Sequence, residues 1–432
     1  MSNYTSLHVH SHFSNVVSPD VVVNENMLAK RAKELGMKKL ALTDHGSTLG
    51  KLAFQKACDK YGIQPIFGME GYFVRDMYRE IPKTIKVRGK EKESTGKDDN
   101  NGHIIFLAKN KNGLHQINLL MSDSYEFGFY RKPRVDLATI RKHLNPKDVI
   151  ISTACIGGFI KKEGVEIIKE FQEFIDENNF YLEVQSHNND YQKEYNELIK
   201  QTSKQTGIPI IITTDTHAID VKTAKLRKAF LHSKNIIYEE EEGAWNVDFP
   251  SYDELVLRMK EQGIFNEQEI VSMLKLTNTI ADEIEKIDLL QHEYKIPILK
   301  KYKHLTLEDR YEVFKKLIYD LFDQYKAKKN MSIKDQEKYL EGIQYEIGEI
   351  YKCKMHDYFL LNYDIVKTAI NKYGGVLTKT SRGSASCFFV NFLLGFTAMD
   401  RFVFDKLPLF PQRFLTAERV LESMTPPDCK VA

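Results

Sequence analysis

Side chains able to bind metal recur at regular places in the first half of this 432-residue chain. The run LHVHSHFS (7–14) sets His8, His10 and His12 at alternate positions, the spacing that puts side chains on one face of an extended chain. KLALTDHG (39–46) ends in Asp44 and His45, PIFGMEGYFV (65–74) contains Glu70, and HIIFLAKN (103–110) begins on His103. DVIISTACIGG (148–158) contains Cys155, FYLEVQSH (180–187) closes with Glu183 and His187, and PIIITTDTHAI (209–219) closes with Asp215 and His217. Taken singly, each histidine is more simply a hydrogen-bonded core or surface residue, and a lone cysteine is more simply packing. Recurrence of the same residue types at one point of successive units argues against separate explanations. Gathered together without a cation, such groups would leave buried donors and acceptors unpaired, at about 1–3 kcal/mol each.

Imidazoles with carboxylates and at most one thiolate suit Zn²⁺, Mn²⁺ or Fe²⁺ and match poorly the all-oxygen shell of Mg²⁺. A structural zinc site would show close Cys/His pairs, and the chain has no CxxC. There are more candidate ligands than one ion needs, so two or three ions are expected. Such a centre lowers the pKa of water to about 7 and stabilises both oxygens of an in-line displacement, which points to phosphoester hydrolysis.

The elements that must position these groups are short apolar runs alternating with amphipathic, helix-length segments. NENMLAKRAKELGM begins on the cap residue Asn24 and stops at Gly36, and YQKEYNELIKQTSKQTG stops at Gly207. Repeated strand–helix units predict a parallel sheet with crossover helices. Seven runs are enough to close a barrel, an open doubly wound sheet being the alternative. In a parallel barrel the carboxyl ends of the strands share one rim, where distant side chains converge. His103 breaks this rule, because it precedes its run. The hydrophilic stretch 86–102 reads as an exposed loop, and EEEEG (239–243) as solvated surface. From 226 to 295 the pattern turns helical, 294–304 reads as a connector, and long charged helices follow to about Ile350.

Bulk properties narrow the class. Hydrophobic residues make up 42% and charged residues 28%, and the net charge of +2 neither requires nor excludes nucleic acid. Five scattered cysteines argue against a disulfide framework and fit a reducing interior. No apolar stretch approaches the roughly 20 residues that span a bilayer, and no signal pattern opens the chain. A cytoplasmic protein without membrane partners is expected.

In this order, LHVHSHFS, LTDHG, GMEGYF, GHIIFLAKN, STACIGG and TTDTHAI resemble the polymerase-and-histidinol-phosphatase (PHP) domain. More narrowly, they resemble the version at the start of bacterial C-family DNA polymerase III alpha subunits. The resemblance implies a distorted (β/α)7 barrel with up to three ions held by His8, His10, His45, Glu70, His103, Cys155, Asp215 and His217. It also implies an aspartate after the first motif. Many relatives carry it seven residues after the second histidine, where this chain has Val17, so Asp20 is the nearest candidate. His12, Asp44 and His187 then become neighbours of the site or ordinary structure. An intact set implies zinc-, manganese- or iron-dependent hydrolysis, as a 3′–5′ exonuclease on single-stranded or primer-template DNA or as a pyrophosphatase. A metal-stabilised, non-catalytic scaffold and a stand-alone small-molecule phosphatase are the competing readings.

Residues 354–429 resemble the start of the C-family palm, with SRGSAS (381–386) and FPQRFLTAER as its recognisable elements. By that resemblance Arg382, Gly383 and Ser384 contact the triphosphate of an incoming dNTP, while Phe388, Phe389, Phe392 and Leu393 read as core. Relatives continue into Pro-Asp-x-Asp, whose aspartates hold Mg²⁺. Here Asp428 is followed by Cys429 and Lys430, so a Mg²⁺ site is expected only if completed from elsewhere, by another polypeptide after a split gene or across an intein junction. A truncated sequence is the third explanation. The expected organisation is a PHP barrel at 1–225, a helical extension and connector at 226–295, and a partial α+β palm at 296–432.

Overall fold

The computed structural model describes residues 4–427 except 88–89, 237–244, 291–294, 377–382, 404–408 and 424. Two compact units divide the chain, 1–289 and 290–432.

Among the described residues the first unit contains ten strands: β1 (Lys39–Leu42), β2 (Gln64–Phe73), β3 (Glu80–Val87), β4 (Lys90–Lys97), β5 (Gly102–Ala108), β6 (Phe129–Tyr130), β7 (Lys132–Val135), β8 (Val149–Ser152), β9 (Phe180–Val184) and β10 (Ile210–Ile212). Eight of them form one sheet with a path β10-β9-β8-β5-β2-β7-β6, and β1 pairs with β2. The extended residues 6–10 close the gap between β10 and β1. Ala41 N–H donates to Ser6 O (3.0 Å), Thr43 N–H to Val9 O (2.8 Å) and His10 N–H to Thr216 O (3.0 Å). Seven staves therefore close a ring, one from each apolar run, with the first run as bridging chain rather than a regular strand.

Alternation along the staves sorts their side chains between lumen and exterior. Leu7, Ala41, Ile66, Ile105, Ile150, Tyr181 and Ile211, one per stave, form a single apolar cluster with Ile280, Ala281 and Ile284. The last three belong to the end of the helix Glu267–Asp282 and the residues just after it, which pack against the lumen. Leu40, Leu42, Phe67, Phe106, Ile151, Leu182 and Ile212 face outward into the larger core shared with the surrounding helices. Those helices begin and end as their caps dictate. Asn24 accepts from Met27 N–H ahead of Glu25–Glu34, Asn189 caps Asp190–Thr206, and Gly207 at φ 75° ends the latter.

Not all staves run the same way. β1–β2, β8–β9 and β9–β10 are parallel, but β5 lies antiparallel to both neighbours, with Glu70 opposite Ile105 and Ile105 opposite Ser152. The sheet is thus mixed rather than wholly parallel. The stretch 86–102, expected as a loop, is instead mostly ordered: β3 and β4 form an antiparallel hairpin outside the barrel. Charged residues follow one another along β4, which a two-stranded ribbon tolerates because neither face needs a core. The acidic run 239–243 lies outside the described residues.

The second unit is helical among its described residues, with long helices Leu307–Lys329, Ile333–Lys352 and His356–Tyr373 around its own apolar cluster. Phe388 and Phe389 are fully buried there, and Phe392 and Leu393 pack against them. Residues 377–382, which include Arg382, lie outside the described residues, as does Asp428.

Candidate metal centre

The antiparallel course of β5 resolves the position of His103. Because β5 runs against the other staves, its amino end reaches the rim where β1, β8, β9 and β10 place their carboxyl ends. His103 opens β5, beside Tyr72 of β2 and bridged to Gly158. His45 follows β1 and is bridged to Glu70 in β2. Cys155 follows β8, and Asp215 and His217 follow β10. The backbone at the rim is shaped to aim these groups: Ala154 and Asp215 adopt left-handed conformations, at φ 60° and 45°. Gly158 lies so close to Thr153 O that a Cβ there would meet it at 2.2 Å.

All nine residues expected as ligands come together. His8 Nε2 lies 3.0 Å from His10 Nε2, and Asp215 Oδ1 lies 3.2 Å from the first and 3.1 Å from the second. Glu70 places Oε1 2.6 Å from His103 Nδ1 and 3.6 Å from His8 Nε2, while Oε2 contacts His45 Nδ1. Cys155 Sγ lies 3.3 Å from His103 Nδ1. Asp20 bridges His45 Nε2 and His217 Nε2, each at 3.4 Å. Three sets offer donor atoms within 4.8 Å of one another: His10, His45 and His217; His8, His10 and Asp215; Glu70, His103 and Cys155. His12 stands apart, half-exposed and 3.4 Å from Glu25.

A layer behind these residues fixes their orientation. His8 Nδ1 lies 2.6 Å from Glu183 Oε1, and that carboxylate also accepts from Ser152 (2.8 Å) and Thr213 (2.5 Å). Ser14 Oγ donates to Asp44 Oδ1 (2.8 Å), so at 3.1 Å it accepts from His10 Nδ1–H. His217 Nδ1 donates to Asp215 O at 2.8 Å. Each of these three rings thus has a fixed acceptor at Nδ1 and turns Nε2 into the cluster, the orientation a metal ligand requires. Arg227 donates to Asp20 O at 2.6 Å and steadies that loop. Spacing gives no signal for Arg227, which lies on the helix Val221–Ser233.

Charge in the cluster is unbalanced. Burial works against ionised Glu70, Asp20 and Asp215, yet the imidazoles beside them prevail and hold all three carboxyls well below the usual range. Burial disfavours the charged form of His8, but Glu183 and Asp215 outweigh it and raise its pKa to about 9. Burial, with His45 and His217 adding repulsion, drives His10 down to about 3. Burial and the nearby Asp215 and Glu70 keep the Cys155 thiol protonated; a cation among them would reverse that.

The residues fit divalent ions. Buried Asp20 Oδ1, His45 Nε2, Glu70 Oε1 and Asp215 Oδ1 have no hydrogen-bond partner, and all four belong to the cluster. Ligand atoms on a tetrahedral zinc sit about 3.3 Å apart, given bonds of about 2.0–2.1 Å. The His8, His10 and Asp215 donors lie 3.0–3.2 Å apart. The nitrogen-rich sets with one thiol favour zinc-like ions over Mg²⁺.

Comparison with known proteins agrees with this fold. Residues 6–187 match the PHP domain family. Residues 312–431 match the bacterial DNA polymerase III alpha NTPase domain, so the chain carries both domains in that order and corresponds to an N-terminal portion of DNA polymerase III alpha subunits. The DNA polymerase III subunit alpha of Aquifex aeolicus is 29% identical over 97% of this chain and 35% of its own length. That of Helicobacter pylori is 28% identical over 96% of this chain and 34% of its own length. The chain therefore spans about a third of the curated relatives it matches. Among solved structures, a two-domain Bacteroides vulgatus protein containing a predicted PHP-like metal-dependent phosphoesterase aligns over 50% of this chain and 52% of its own, with 15% identity and a TM-score of 0.31.

Proposed function

We propose that the first unit is a metal-dependent phosphoesterase serving a C-family replicative DNA polymerase in the cytosol, acting on a 3′ DNA end or on pyrophosphate. The observation that carries this reading is the convergence of nine donor residues from six of the seven staves and the loop after the first, with three histidines turned to offer Nε2. His8, His10, Asp20, His45, Glu70, His103, Cys155, Asp215 and His217 would hold two or three zinc, manganese or iron ions. Bound there, such ions supply positive charge to a phosphoryl group and lower the pKa of the attacking water. The chain's own work is positional. Glu183 and the Asp44–Ser14 pair lock the rings of His8 and His10, and Arg227 secures Asp20.

In the second unit the proposed nucleotide contacts are Gly383 and Ser384, with Arg382 before them, and Asp428 is the proposed Mg²⁺ ligand of a completed polymerase site. The amides that open the following helix are engaged elsewhere: Phe389 and Val390 donate to Glu346 at 3.0 and 2.8 Å. A triphosphate would therefore rely on the Gly383–Ser384 turn, where Gly383 takes φ 73°.

The test is metal analysis of the purified chain, followed by hydrolysis of labelled single-stranded DNA and of pyrophosphate with Mn²⁺ or Zn²⁺. His8→Ala and Asp215→Ala should each abolish turnover. Hydrolysis that survives both substitutions would refute the assignment.

A further inference from the structure

The centre opens into a cavity of about 500 Å³, well within the range of small-molecule sites. Its walls are of two kinds. Asp20, His45, His103, Asp215 and His217 bring the donor atoms already described. Val221, Ala224, Leu231, Trp245 and Val247 make an apolar wall, with which inorganic phosphate or pyrophosphate has nothing to exchange. Lys225, Arg227 and Lys228 of the helix Val221–Ser233 also line the cavity and add positive charge, with Asn246 and Asp248 beside the apolar residues.

Trp245 is the only tryptophan in the chain. Its half-buried indole packs edge-on against the His187 ring, with centroids 5.0 Å apart and planes at 61°. That ring is itself fixed. Nδ1 accepts from Asn246 N–H at 3.1 Å, so Nε2–H donates to Gln185 Oε1, also at 3.1 Å. Gln185 Nε2 in turn donates to Glu183 Oε1 at 3.2 Å, the carboxylate that orients His8. The indole is seated on the same hydrogen-bonded chain that sets the centre. Aromatic side chains held in this way are stacking platforms for nucleic-acid bases.

We propose that the cavity takes a nucleoside phosphate, its phosphate at the centre and its base stacked on Trp245. The inference rests on the phosphoesterase reading and deepens it, selecting a nucleotide unit over pyrophosphate. Because Trp245 is unique, intrinsic fluorescence of the full chain reports directly on the cavity.

The experiment loads the 432-residue protein with Zn²⁺ and titrates it with dTMP, ribose 5-phosphate and inorganic phosphate, following fluorescence and calorimetric affinity. We expect dTMP to quench Trp245 saturably and to bind roughly tenfold or more tightly than ribose 5-phosphate. Trp245→Leu should bring dTMP down to the ribose 5-phosphate level with phosphate affinity unchanged, and Trp245→Phe should restore most of the difference. Equal affinities for dTMP and ribose 5-phosphate, or unchanged fluorescence on dTMP binding, would overturn the base platform. Failure of all three probes to bind the zinc-loaded protein would overturn the reading of the centre itself, so the two failures are told apart. The fluorescence arm needs no variant and survives a Trp245 substitution that fails to fold.

Discussion

Glu183 shows how much one residue can matter without touching a ligand. It holds His8 Nδ1 while Ser152 and Thr213 hold its own oxygens, so its charge is buried but fully hydrogen-bonded. Carboxylates placed behind a metal-binding imidazole typically sustain 10–100-fold in metal affinity. Glu183→Gln keeps the shape and one acceptor but removes the charge. Metal affinity, measured by competition with a chromogenic chelator, should fall by about that factor while the circular dichroism spectrum stays unchanged. Unaltered affinity would mean that His8 needs no such partner. Eight of the nine candidate ligands stand out in the sequence because each lies in an apolar run, and the family resemblance selects them from the other polar residues there. The role of Glu183 does not, since its partner lies 175 residues away. Asp20 could be named only as the nearest aspartate. Its place becomes clear once the chain brings His45, His217 and Arg227 around it.

Among elements, the short helix Phe389–Leu393 depends on a single carboxylate. Glu346 accepts from the amides of Phe389 and Val390 and from Arg401 Nε at 2.7 Å, in a fully buried setting. Burial raises its pKa to about 7, against the lowering pull of Arg401 and the two amides. With the folded pKa above its unfolded value of 4.5, the folded state holds the extra proton between the two. The stability this group contributes is therefore present below about 4.5 and lost as pH rises through 7. Glu346→Gln should flatten that part of the pH profile of urea unfolding followed by circular dichroism. Glu346→Ala, which leaves Arg401 and two amides without their acceptor, should cost about 3 kcal/mol at neutral pH. A pH profile identical to wild type in the Gln variant would count against the buried carboxyl as its source. At this scale the seven runs were readable as barrel staves from their apolar spacing. The reversal of β5 was not, because a strand buried on both faces carries the same apolar run in either direction. That reversal is the physical reason His103 looked misplaced. The β3–β4 hairpin escaped notice for the opposite reason: a ribbon outside the core needs no apolar pattern.

At the level of the whole chain, each unit carries its own apolar cluster, and the candidate metal centre belongs wholly to the first. Binding to the folded state alone stabilises by about 2.7 kcal/mol at a hundredfold excess over Kd, or about 4–5 °C for a unit of this size. That gain should be local. The single tryptophan lies in residues 1–289, so its fluorescence follows unfolding of the first unit. Far-ultraviolet circular dichroism follows the helices of both units, so the transition of the long helices within residues 307–373 is the part of the dichroism melt that the tryptophan fluorescence does not share. Chelator should lower the fluorescence-detected transition by that amount and leave the later-numbered helices melting at an unchanged temperature, and added Zn²⁺ should reverse the shift. The His8→Ala variant should melt at the chelated temperature with or without Zn²⁺. A chelator that moved neither transition would mean the buried lone pairs at the barrel rim are satisfied by something other than a cation. One that moved both equally would place the stabilising ion outside the centre assembled by the seven staves.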